Sequence, residues 1–177
     1  MKSRFEGDEG RRRLLDLVMD QRVVGHDEVL ARRLPDAAEI REHAADEVLM
    51  VQDDGGNDVA FLFVGSVDIL VHEQRVASRT AGEHVGEMAA IDPKAKRSAT
   101  VRAREATVAA WVPEAKLAGI AQEHPSLWRG FARMLADRLR ERGRHVRVEN
   151  AKPRVFVGSS VEGLEQEKAT VRVPLAT

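Results

Sequence analysis

Apolar and polar positions divide the chain into a helical start, a strand-rich middle and a helical end. Residues 9–20 place Leu14, Leu15, Leu17 and Val18 at helical spacing beside the run Arg11-Arg12-Arg13, which predicts an amphipathic helix with a solvated basic face. A second short helix is expected to start at Asp27 as N-cap, to turn Val29, Leu30 and Leu34 inward, and to end before Pro35. From Glu39 to Pro113 the period becomes that of strands. Ile40 and residues 48–51, 59–64, 67–71, 75–80 and 107–112 read as short strands, with turns at 53–57 and at Gly65-Ser66. Strands of this kind, spaced by turn residues, predict an α+β fold that is mainly β, an antiparallel roll or jelly-roll barrel with helices at both ends.

Pro113 opens a helix through about Gln122, and Pro125 suits the first position of a longer one. Leu127, Trp128, Phe131, Leu135 and Leu139 recur along that helix at three- and four-residue steps, a stripe that reads either as core or as the seam of a homodimer. Arg129, Arg133, Asp137, Arg138, Arg140 and Glu141 fill its other faces. Arg133 and Asp137, one turn apart, either pair on the surface or reach toward a ligand.

Length and composition narrow the function classes. The 177 residues suffice for one domain with a core plus a short extension. With 43% hydrophobic and 32% charged residues and no apolar run near the ~20 needed to span a bilayer, a soluble, cytoplasmic protein without a membrane partner is expected. The absence of Cys excludes disulfides and thiolate metal sites, and a net charge of −1 gives no bulk attraction to nucleic acid. The six His never fall at paired zinc spacing, and neither a Gly-x-Ser-x-Gly elbow nor a phosphate-loop lysine motif occurs. The expectation is therefore a binding protein with no catalytic residues, metal or cofactor.

Binding chemistry concentrates in Gly86-Glu87-Met88-Ala89-Ala90 and Arg97-Ser98-Ala99-Thr100. Gly86 follows an expected strand and turn and removes the Cβ that would hold the backbone away from a ligand; residues 87–91 favour one short helical turn ending at Asp92-Pro93. Free N–H groups at such a turn suit a phosphate, Arg97 can clamp two of its oxygens, and the Ser98 hydroxyl adds a further bond. Glu87 beside an anion needs hydroxyl donors or a cation, and a ribose hydroxyl supplies the first. The alternative from residue types alone is a structural Glu87–Arg97 ion pair. Ile69, Val76 and Val85 are apolar neighbours either of a nucleotide or simply of the core.

From about Val29 to Val146 the chain resembles the cyclic nucleotide-binding domains of bacterial catabolite activators, kinase regulatory subunits and gated channels. The resemblance implies that Glu87 holds the ribose 2′-hydroxyl, that Arg97 and Ser98 hold the cyclic phosphate, and that Gly86, Met88 and Ala89 contribute backbone groups. It also implies that the long C-terminal helix lies against the nucleotide. Ala90 departs from the bulkier aliphatic residue usual there, which implies a looser contact between the cassette and the following helices.

The tail, Arg154-Val155-Phe156-Val157-Gly158-Ser159-Ser160 running on to Glu165, reads as a strand leading into a helix, or as a stray strand. It resembles the opening of the TIR-like domains that follow such sensors in Pycsar antiphage effectors, in which a cyclic pyrimidine nucleotide is detected and NAD is destroyed. Only about the first dozen residues match. The expected organisation is a helical segment over 1–38, the nucleotide-binding roll with its C-terminal helices over 39–147, and a linker with the start of a TIR-like domain over 148–177. The resemblance implies a sensor for cyclic UMP that does not itself hydrolyse NAD, with Thr100 or Arg133 supplying donors for the carbonyl oxygens of a pyrimidine. Two alternatives are a cyclic AMP-responsive regulator of the catabolite-activator type, for which no recognition helix is visible, and a remnant completed by another chain into a NAD hydrolase.

Overall fold

Residues 59–64 are apolar at every position because both faces of this strand are covered. A computed structural model of the chain describes Phe5 and residues 7–145. Its strands are β1 (Glu39–His43), β2 (Val48–Met50), β3 (Val59–Val64), β4 (Ser66–Val71), β5 (Gln74–Thr80), β6 (His84–Val85), β7 (Thr100–Ala103) and β8 (Thr107–Val112). Its helices are α1 (Gly7–Met19), α2 (Glu28–Ala37), α3 (Glu87–Ile91), α4 (Glu114–Glu123) and α5 (Ser126–His145). The strands form two antiparallel four-stranded sheets, ordered β1-β8-β3-β6 and β2-β7-β4-β5, which is the expected mainly β roll with helices before and after it.

Alternation along β3 explains the two apolar cores. Val59, Phe61 and Phe63 join Leu14, Val18, Leu30, Leu34, Leu117, Leu127 and Phe131 in a cluster between the first sheet and the helices. Ala60 and Leu62 point the other way, into the roll, where they meet Met50, Val67, Val85, Val101 and Trp111. β8 divides similarly, with Ala110 and Val112 toward the helices and Ala109 and Trp111 inside. The helices before and after the strands thus share one core with the roll.

Two details of α2 differ from expectation. Asp27 does cap it, its Oδ1 accepting from the Leu30 N–H at 3.0 Å, but the helix passes through Pro35 to Ala37. Proline lacks a donor, but near the end of α2 its carbonyl still accepts from the Ala38 N–H at 3.3 Å, so the final turn survives. Val29 is 62% exposed, whereas Leu30, Ala31 and Leu34 are buried; one helical face holds the latter three and leaves Val29 outside.

The long helix α5 sits close to the loop after α1 because Gly130 carries no side chain. A Cβ there would lie 2.5 Å from the Val23 carbonyl oxygen. Leu127 and Phe131 are consequently buried within their own chain. Among the described residues, no helix is long and apolar enough to cross a membrane and no three His, Cys, Asp or Glu cluster as metal ligands. The expected TIR-like start lies outside the described residues.

Candidate functional site

The cassette is built around Gly86, which has φ +88° between β6 and α3. A Cβ there would stand 2.6 Å from Arg97 Nη1, 2.7 Å from the Asp58 carbonyl oxygen and 2.8 Å from Met50 Cε. The missing side chain is thus what lets the chain turn under the Arg97 guanidinium. Arg97 lies in the loop before β7, and its backbone is clipped to the β2–β3 loop by Asp53 N–H to Arg97 O and Arg97 N–H to Asp54 O, both 2.9 Å. Arg97 is 6% exposed and donates from Nη1 to the Gly86 carbonyl at 3.1 Å. Burial lowers the guanidinium's pKa, opposed by Asp58, Asp54 and Glu87, and an arginine so placed stays charged.

Beside this clamp opens a cavity of about 320 Å³. Nine of the twelve candidate residues named from the sequence line it: Arg97, Ser98 and Ala99 from the loop, Gly86, Glu87, Met88 and Ala89 from the cassette, and Val85 and Ile69 from the strands. Ser98 Oγ lies 3.4 Å from Met88 Sδ. Ala90, just past the cassette, is buried in the larger core.

Thr100 and Arg133 do not line the cavity. The Thr100 hydroxyl is occupied in joining strands, accepting from the Gln52 N–H at 3.0 Å. Arg133 is exposed, because two residues from the buried Phe131 is about 200° round a helix. Its expected partner Asp137 accepts instead from Arg140 Nη1 at 2.6 Å. Val76 is 47% exposed and also lies outside, since β5 turns Ala77 and Arg79 inward.

Met50, Ala77, Arg79 and Val101 also line it, as do Leu135, Arg138 and Leu139 of α5. Arg138 is a residue that sequence reasoning missed: its Nη1 donates to Glu87 Oε1 at 2.5 Å and its Nη2 to the His84 carbonyl at 2.8 Å. Glu87, 4% exposed, therefore pairs with Arg138 and not with Arg97 as in the alternative ion pair. The available signal was phase, since Phe131, Leu135 and Arg138 share one helix face.

His84, wholly buried beneath this pair, packs edge-on against Phe131 with ring centroids 4.8 Å apart, and neither ring nitrogen has a hydrogen-bond partner among the described residues. Burial, followed by the charges of Arg138 and Arg79, pushes its pKa well below 6.5. The unfolded chain thus binds a proton near pH 6.5 that the folded chain refuses, so stability is full above that pH and falls as acid is added, by at most about 1.4 kcal/mol per pH unit. Replacing His84 with leucine should flatten the dependence between pH 7 and 5 in melts monitored by circular dichroism. Superimposable pH profiles of the two proteins would contradict this.

Comparison with known proteins agrees with this geometry. Residues 40–124 match the family model described as "Cyclic nucleotide-binding domain". The chain is 41% identical over 166 residues to the Pycsar effector protein PaPycTIR of Pseudomonas aeruginosa, covering 94% of this chain and 54% of that protein. It is 40% identical to BcPycTIR of Burkholderia cepacia over 164 residues, 93% of this chain and 54% of that one. The chain thus spans about half the length of these relatives. A cyclic nucleotide-binding domain from Methylobacillus flagellatus superposes with a TM-score of 0.63 at 23% identity, over 76% of this chain and 81% of that one, which shows the common fold. Residues 40–124 therefore belong to the cyclic nucleotide-binding domain family, in a chain related over nearly its whole length to the Pycsar effector proteins.

Proposed function

We propose that this chain is the nucleotide-sensing part of a Pycsar-type TIR effector and that its ligand is a cyclic pyrimidine mononucleotide, cyclic UMP first. The observation that carries the reading is the convergence of a buried arginine, a side-chain-free turn and a buried glutamate on one cavity of about 320 Å³ in a chain related to such effectors. Arg97 suits the phosphate, since its planar fork matches two anionic oxygens. Glu87 suits the ribose, since Oε1 is held by Arg138 while Oε2 accepts no hydrogen bond among the described residues.

The same carboxylate links ligand to helix. A hydroxyl donating to Glu87 acts on the group that holds Arg138, and so on the position of α5. Ligand shifts α5 only to the extent that it binds two arrangements unequally. This chain's part is then detection, and destruction of NAD belongs to the TIR region of the whole effector. A homodimer seated on α5 is the assembly through which such a shift would be passed on.

Calorimetric titration with cyclic UMP, CMP, AMP and GMP tests the reading. Tightest binding of a pyrimidine is the expected result. A preference for cyclic AMP would replace the Pycsar reading with a cyclic AMP-responsive regulator, and no binding of any of the four would remove the sensor altogether.

A further inference from the structure

Among the described residues, three guanidiniums, those of Arg79, Arg97 and Arg138, but only one carboxylate, Glu87, line the cavity. Arg97 suits the single charge of a cyclic phosphate, and Arg138 is paired with Glu87. Arg79 has no assigned task.

Arg79 lies on β5, where alternation puts it on the same face as Ala77, and its cross-strand partner Val67 belongs to the inner core. Its side chain is 12% exposed. Glu83 Oε1 sits 3.9 Å from its Nε, while Glu83 Oε2 accepts from the Thr80 N–H at 3.0 Å, so the carboxylate that steadies Arg79 is itself fixed. Nη1 donates to the Ser78 carbonyl at 2.7 Å; Nη2 has no acceptor among the described residues.

Arg97 is fixed beside the cassette by the Gly86 carbonyl and the β2–β3 loop, whereas Arg79 is held on β5 by Glu83 and the Ser78 carbonyl. With the phosphate on Arg97 and the ribose on Glu87, the base is left to the part of the cavity that Arg79 lines.

Resting on the proposed nucleotide site, we infer that Arg79 reads the base, donating from its free terminal nitrogen to a ring carbonyl oxygen and so selecting bases with carbonyl acceptors over adenine. Uracil presents two such oxygens. Adenine presents none, and its amino group meets the guanidinium donor to donor. A site built to donate to a ligand's oxygen discriminates strongly against an analogue that lacks it.

The test is calorimetry on the 177-residue chain with cyclic UMP and cyclic AMP, for the wild type, Arg79→Met and Arg79→Lys. Arg79→Met should weaken cyclic UMP about tenfold or more while cyclic AMP changes less than about threefold, and Arg79→Lys, which keeps the charge but not the fork, should fall between. Equal weakening of both ligands in Arg79→Met, or no change in either, overturns the inference and leaves the site standing. A wild type that prefers cyclic AMP does the same. A wild type that binds neither nucleotide overturns the site and this inference together.

Discussion

Arg97→Ala is expected to weaken cyclic UMP binding by about 2 kcal/mol or more, roughly thirtyfold, because it removes charge-assisted bonds to the phosphate that a neutral side chain cannot replace. The effect is large because the guanidinium is already positioned: its backbone is pinned to Asp53 and Asp54, and its Nη1 rests on the Gly86 carbonyl. No ordering of a mobile side chain then offsets the bonds gained on binding. Arg97→Lys should recover part of the loss, since it retains a charge without the fork. Isothermal titration gives the answer, and an affinity for Arg97→Ala equal to that of the wild type would move the phosphate elsewhere.

Gly86→Ala should damage both stability and binding. Its φ of +88° disfavours any side chain, and the new Cβ would stand 2.7 Å from the Asp58 carbonyl oxygen, a backbone atom that cannot swing aside. Met50 Cε and Arg97 Nη1 can move, but moving Arg97 opens the clamp. Left-handed strain and overpacking together amount to on the order of 3 kcal/mol, which for a chain of this length lowers the melting temperature by roughly 10 °C. A variant that melts within a degree or two of the wild type and binds nucleotide normally would show that the turn tolerates a side chain.

Much of this site is legible in the sequence because its chemistry is local. Gly86 to Ala89 and Arg97 to Ala99 are two short segments whose residue types announce an anion cradle, and both line the cavity. The apolar runs of β3 and of β8 after Thr107 are equally visible. β6 escapes because it is only two residues long, and β7 because its Arg102 interrupts the apolar pattern in Thr100–Ala103. The β4–β5 turn gives no signal either, since His72 and Glu73 adopt φ of 49° and 61° where glycine or asparagine is usual.

What stayed hidden is what depends on one element passing over another. Arg138 is separated from Glu87 by 51 positions, and its role follows from the rotation of α5 about its axis, which Gly130 and Phe131 set by packing. Arg133 has the same chemistry but the opposite phase. Arg79 reads as an ordinary polar residue of an alternating strand until β5 is seen to turn it into the cavity.

The most direct measurement is a crystal structure of the chain with cyclic UMP. The account predicts the phosphate within hydrogen-bond distance of the Arg97 guanidinium and the cassette backbone, a ribose hydroxyl on Glu87, and the base toward Arg79 and α5. A nucleotide bound elsewhere, with Arg97 still resting on the Gly86 carbonyl and nothing in the cavity, would contradict it.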